Sequence, residues 1–236
     1  MTESCLQIDG HQLQVKRHAR RTRLAIRVRA QQVEVLAPPR VSLKLLEKFA
    51  RQHQAWWLQA LQTAPQPLQK YALTNGAAWP FLGDRLQLQF VQGKPQVHFD
   101  QQADNRLLIC QLARPENENS RRRVLQKWWY QYALDYLAER TQRFAQNLGR
   151  QPSQITIKSF SGRWGSCDGR GRIQFNWKLL ALPDWVVDYV VVHELCHLVH
   201  LNHSSAFWQL VEQHYPRTRE AKLWLKQHGH LVIAQL

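Results

Sequence analysis

Apolar and polar residues alternate along the first 40 positions of the chain. Leu6 and Ile8, then Leu13 and Val15, flank Asp9-Gly10, a pair suited to the tight turn of a β-hairpin. Leu24, Ile26 and Val28 alternate again, and Val33 and Val35 follow a short polar turn, so a second hairpin is expected. Pro38-Pro39 ends the run, and Ser42 is placed to cap one helix reaching about Gln62. Past a linker at Ala64-Pro65-Gln66-Pro67, the alternation returns at Leu86, Leu88 and Phe90, and at Val97 and Phe99. It resumes at Leu107 and Ile109 after Asp104-Asn105. Residues 1–115 read as a β-rich region with one helix.

The period changes after the polar segment that begins at Pro115. Asn119 or Ser120 is placed to cap a long helix that stops before Gly149, with an apolar stripe at Leu125, Trp129, Ala133, Leu137, Phe144 and Leu148. The neighbouring aromatics Trp128, Tyr130, Tyr132 and Tyr136 are read as packing. Ile155 and Ile157, then Ile173, Phe175 and Trp177, predict a wide hairpin turned at glycines 162, 165, 169 and 171. A valine-rich helix starts at Pro183-Asp184, where a missing N–H costs nothing and an acid suits the helix dipole. Ser204 or Ser205 is expected to cap a helix stopped by Pro216, and Thr218 to begin a last one closed by Gly229. The expected architecture is α+β: a β-rich region over 1–115, then a catalytic domain over 116–236.

Composition narrows the class. The 236 residues are 44% hydrophobic and include ten tryptophans, enough for a well-filled core. No apolar run reaches membrane-spanning length, and the first residues show no basic-then-apolar leader pattern, so a cytoplasmic protein with no membrane partner is expected. Cys5, Cys110, Cys167 and Cys196 are scattered and form no C-x-x-C pair, which argues against a disulfide scaffold or a cysteine zinc site. The net charge of +15 favours polyanionic partners. Seven basic residues (Lys16, Arg17, Arg20, Arg21, Arg23, Arg27 and Arg29) fall within 14 positions of the predicted strands. Nucleic acid is therefore a candidate partner of that region.

The chemistry concentrates at His193-Glu194-Leu195-Cys196-His197. Residues four apart share a helix face, so two imidazoles can meet one metal, with Glu194 about 100° round and free to act on water. Val187, Val191, Leu195 and Leu198 fall opposite His193 and are expected to face the core. Tetrahedral zinc needs a third protein ligand. His200 would lie about 10 Å from His193 along a straight helix, too far for one metal. His203 reaches back if the chain bends after Leu201, with Asn202 as the bend residue; Glu212 and Glu220 are the competitors. Cys167 is given a structural role.

Arg163-Trp164-Gly165-Ser166-Cys167, Asn176-Trp177, Asp188 to Leu198, Asn202-His203-Ser204 and Phe207-Trp208 together resemble the YgjP-like family of metal-dependent hydrolases, related to SprT-like and WLM metallopeptidases. The resemblance covers nearly the whole chain. It implies a zincin-like catalytic domain in which His193, His197 and His203 ligate one zinc per chain and Glu194 is the catalytic acid/base. His200 stands where metzincins carry glycine, and Met1 is the only methionine, so the chain is not a true metzincin.

The leading expectation is a zinc-dependent hydrolase, nominally a metallopeptidase, in which Glu194 activates a zinc-bound water. Arg163, Trp164, Ser166 and Asn176, ahead of the helix, are expected to contact substrate. Arg163, Tyr189, His200 and Tyr215 are candidate oxyanion stabilisers. If the substrate is instead a phosphoanhydride such as a nucleoside triphosphate, Arg23 and Arg27 supply its charge partners. A third reading is an SprT-like protease associated with nucleic acid through the basic strands.

Overall fold

The computed structural model describes residues 4–29, 31–63, 70–101 and 106–236, so the linker at 64–67 and the turn at Asp104-Asn105 lie outside the described residues. The chain divides into two compact units, Met1–Gln69 and Lys70–Leu236.

The first unit contains the two expected hairpins. Strands β1 (Ser4–Ile8) and β2 (His11–Arg17) turn at Asp9 and Gly10, whose φ angles of 47° and 82° are the left-handed values the turn requires. Strands β3 (Ala25–Arg29) and β4 (Gln32–Ala37) form the second hairpin, and β4 lies parallel to β2, giving the order β1-β2-β4-β3. One sheet face carries Leu13, Val15, Val33 and Val35 into the core; the other presents Lys16, Glu34 and Arg27. Ser42 caps α1 (Leu43–Gln52), its hydroxyl accepting from the Leu45 N–H at 3.3 Å. The single helix expected here breaks at His53, and α2 (Gln54–Thr63) follows. The cause is Trp57. Its fully buried indole donates to the Ala50 carbonyl at 2.9 Å, taking the acceptor that a continuous helix would offer residue 54.

The second unit opens with β5 (Ala78–Phe81), β6 (Asp84–Gln92), β7 (Gln96–Asp100) and β8 (Arg106–Leu112), in the order β5-β6-β8-β7. The pairing repeats that of the first sheet, with β6 and β8 parallel. On β8 the fully buried face is Leu108, Cys110 and Leu112 rather than Leu107 and Ile109. An interior strand is apolar on both faces, and alternation cannot say which one meets the core. Helix α3 (Glu118–Leu148) packs on this sheet, with Trp129 stacked at 6.1 Å on Trp79. Its cap is Asn117, not Asn119 or Ser120, and below Leu137 the buried stripe runs through Thr141 and Ala145 instead of Phe144 and Leu148. Because the second sheet shares its core with α3, the boundary expected after residue 115 falls at 69/70.

Strands β9 (Gln154–Lys158), β10 (Gly165–Cys167) and β11 (Arg172–Asn176) form a third sheet in the order β10-β11-β9. The predicted hairpin of residues 155–157 with 173–177 is replaced by a parallel pair, β9 with β11; the hairpin proper joins β10 to β11. Trp177 leaves the strand and opens a short 3-10 turn, Trp177–Ala181. Four helices follow: α4 (Asp184–Cys196), α5 (Ser205–His214), α6 (Thr218–Trp224) and α7 (His230–Gln235). The last two are joined by a π-helical turn, Leu225–Gly229, so the chain stays helical through Gly229. Helix α4 is buried on nearly every side, not along one face, because its five valines are spread round most of its circumference. Among the described residues no helix is long and apolar enough to cross a membrane.

Candidate metal centre

Helix α4 delivers the site, and α3 holds α4. The Tyr136 hydroxyl donates to Asp184 at 2.6 Å, Arg140 reaches Asp184 at 3.4 Å and also pairs with Asp188, and Arg143 meets Asp188 at 3.4 Å. These contacts fix the rotation of α4, and hence where His193 and Glu194 point.

His197 is the cap residue of α4, and the chain turns there, four residues earlier than expected. The turn needs no left-handed residue: the positive φ angles among described non-glycine residues belong to Asp9, Gln31 and Leu82, not to Asn202. His200 contributes its backbone carbonyl, which lies 2.9 Å from His197 Nδ1. A carbonyl can only accept, so Nδ1 carries the proton and Nε2 keeps a free lone pair. Ser204 then caps α5, its hydroxyl accepting from the Phe207 N–H at 3.4 Å.

This turn brings His203 back to the helix. His193 Nε2 and His203 Nε2 are 3.1 Å apart, and one nitrogen from each of His193, His197 and His203 falls within 4.8 Å of the others. Nitrogen ligands about 2.0–2.1 Å from a tetrahedral metal stand about 3.3 Å from each other. The three imidazoles therefore fit a divalent cation such as zinc. Phe207 stacks on His197 at 4.5 Å and Trp208 on His203 at 5.5 Å, fixing both ring planes from α5. Burial, followed by the neighbouring His197, His203 and Lys222, pushes His193 down to about 3; burial also lowers His197. Both are neutral near pH 7, the form that ligates. Glu212 and Glu220 are outside this group, and Glu220 instead pairs with Arg217 at 2.9 Å.

Glu194 is 5% exposed, and burial pushes its carboxyl up to about 8, opposed by the charge of Arg163. A Cβ at Gly165 would stand 2.6 Å from Glu194 Oε1, so β10 runs directly against this carboxylate. Sequence reasoning gave Gly165 only a turn; its close approach to Glu194 became visible once β10 was placed against α4.

The other expected site residues separate into two groups. Arg163 is exposed above the Phe160 ring, beside Glu194 in electrostatic effect. Ser166 is half-buried on β10, and Trp164 packs its indole against Gly229. Asn176 corrects its expected role. It is fully buried, donates to the Phe160 and Arg163 carbonyls at 3.0 and 2.9 Å, and caps the Lys178 N–H. Its buried amide ties down the 160–163 loop. Tyr215 is also committed, its hydroxyl donating to the Trp185 carbonyl. Arg23 and Arg27 belong to the first unit, where Arg27 and Lys16 pair with Glu34. All four cysteines are free, and burial raises Cys167 to about 11 and Cys196 to about 12, so both stay thiols.

Comparisons with known proteins give two matches. The metallopeptidase zymogen abylysin of Pyrococcus abyssi is 26% identical over 38% of this chain and 93% of its own, with a TM-score of 0.35. None of the curated proteins matches. The family model described as "YgjP-like, metallopeptidase domain" matches residues 22–228, which include all of the histidine cluster and most of both units. That span is most of the sequence, and the chain belongs to the YgjP-like metallopeptidase-domain family.

Proposed function

We propose that the chain is a zinc-dependent peptidase in which His193, His197 and His203 hold the metal and Glu194 is the general base. The observation that carries this reading is the meeting of three imidazoles beside one buried carboxyl. Zinc held there supplies a lowered water pKa and polarises a carbonyl. A cation on the histidines would add to the charge of Arg163 against the burial that raises Glu194, and as a carboxylate Glu194 would take the proton from the attacking water and return it to the departing amine. Among the described residues β10 pairs only with β11, so its outer edge can take an extended peptide through main-chain hydrogen bonds. Arg163, exposed in the 160–163 loop and acting by charge on Glu194, would steady a developing oxyanion or a substrate carboxylate.

The test is a side-by-side substrate panel. Zinc-loaded protein is incubated with an unfolded protein, a mixed peptide library and a nucleoside triphosphate, and products are read by mass spectrometry. New peptide termini, lost in Glu194→Gln, are the expected outcome. Triphosphate hydrolysis with intact peptides would transfer the same machinery to phosphoanhydrides and reject the peptidase reading.

A further inference from the structure

Among the described residues of the first unit, one sheet face has no helix packed on it. Helices α1 and α2 lie on the side of Leu13, Val15, Val33 and Val35, and on the other side Arg27 and Arg29 are exposed. A cleft of about 570 Å³ opens at the end of this face, lined by His18, Arg20, Arg21, Arg23 and Arg27. Glu34 is the acid among these cations and is already matched by Lys16 and Arg27. Arg20, Arg23 and Arg29 have no acidic partner among the described residues. Such a surface holds phosphates well, because guanidinium groups bind them in pairs of charge-assisted hydrogen bonds.

The edge of the same sheet carries a second feature. Strand β3 is an outer strand, and where Arg27 faces the cleft its neighbour Ile26 faces the helices. There Ile26, Phe49, His53 and Trp56 line a hollow of about 290 Å³, and Trp56 is 53% exposed. A large ring left half in water costs hydrophobic stabilisation, and none of the described residues of this unit covers it. Cations for a backbone and an exposed ring for stacking are the two elements that grip unpaired nucleotides, and here both border the edge strand β3. A membrane would need cations and apolar groups in one plane, whereas here they face opposite sides of β3.

We infer that the first unit binds single-stranded nucleic acid, with phosphates in the arginine cleft and a base stacked on Trp56. This inference stands apart from the peptidase reading, and either can fail without the other.

The experiment is fluorescence anisotropy of the full chain with labelled oligo(U) and oligo(dT) of about 20 nucleotides, longer than the roughly 4–16 that one small fold covers. Binding should weaken steeply between about 50 and 200 mM salt, and the tighter of the two oligomers identifies RNA or DNA as the preferred strand. The triple change Arg20→Ala, Arg21→Ala and Arg23→Ala should flatten the slope of log affinity against log salt by about two, at about 0.7 per phosphate contact. Arg20→Ala alone, at an exposed loop residue, should flatten it by about 0.7 and guards against a triple variant that misfolds. Trp56→Ala should lose about tenfold in affinity at an unchanged slope, and Trp56→Phe should recover most of it. Unchanged binding in both the triple variant and Trp56→Ala would overturn the inference. So would tighter binding to duplex of equal length, or capture by phosphatidylserine vesicles but not by either oligomer.

Discussion

A methyl group at position 165 would fall 2.6 Å from Glu194 Oε1 and 2.8 Å from its Cγ, inside any real contact distance. Gly165→Ala must therefore push the Glu194 side chain aside or lift β10 from α4. Metal content should survive, because no histidine is touched, while turnover falls about 10²-fold, as for other small displacements of catalytic groups. Glu194→Gln is the companion change. It should retain zinc and lose about 10²–10⁴-fold in rate, and zinc loss in that variant would make Glu194 a ligand instead. His193, His197 and Glu194 were legible in sequence because helical periodicity alone sets their faces. Gly165 was not: its neighbour is 29 positions away, across a strand-to-helix contact that no local pattern records. His203 was legible by spacing, yet its route was not, since the turn begins at His197 and uses the His200 carbonyl.

At the scale of elements, α4 depends on α3 for its orientation. Arg140 and Asp188 each leave 17% of the side chain exposed, and Arg140 also reaches Asp184. Among the described residues, removing Arg140 leaves Asp188 only Arg143 at 3.4 Å and Asp184 only the Tyr136 hydroxyl, so Arg140→Ala should cost about 1.5–3 kcal/mol in urea unfolding. The weakened carboxylates sit on the helix that carries His193, so zinc affinity should fall with stability. The network escaped sequence reading because Arg140 and Asp188 lie on separate helices with no common period. The parallel pairing of β9 with β11 was hidden for the same reason: alternation reveals a strand but not its partner. In the first unit, Glu34 joins β4 to β2 and β3 through Lys16 and Arg27. Burial works to raise its carboxyl, but the bonds from Lys16 and Arg27 outweigh it and hold Glu34 below its usual 4.5. A depressed carboxylate stabilises the fold above the unfolded value and loses that contribution as pH falls through the folded one. Melting of the first unit should therefore be flat above pH about 4.5 and fall beneath it, and Glu34→Gln should shrink that acid-dependent step, leaving the part due to Asp9.

Over the whole molecule, charge and chemistry are apportioned between the units. The first 69 residues hold 11 of the 32 lysines and arginines against 4 of the 17 acids, while the histidine cluster lies entirely in the second unit. Composition announced the excess charge, and the spacing of the arginines located it. Neither could divide the chain at 69/70, because the second sheet reads like the first and only its packing on α3 assigns it to the metal-centre unit.

The account turns on three histidines holding one zinc. Elemental analysis of the purified chain and of His203→Ala, with Glu212→Ala and Glu220→Ala alongside, tests this most directly. The account predicts about one zinc per chain in the parent and in both glutamate variants, with marked loss in His203→Ala at an unchanged fold. Full zinc in His203→Ala, or loss confined to a glutamate variant, would contradict it.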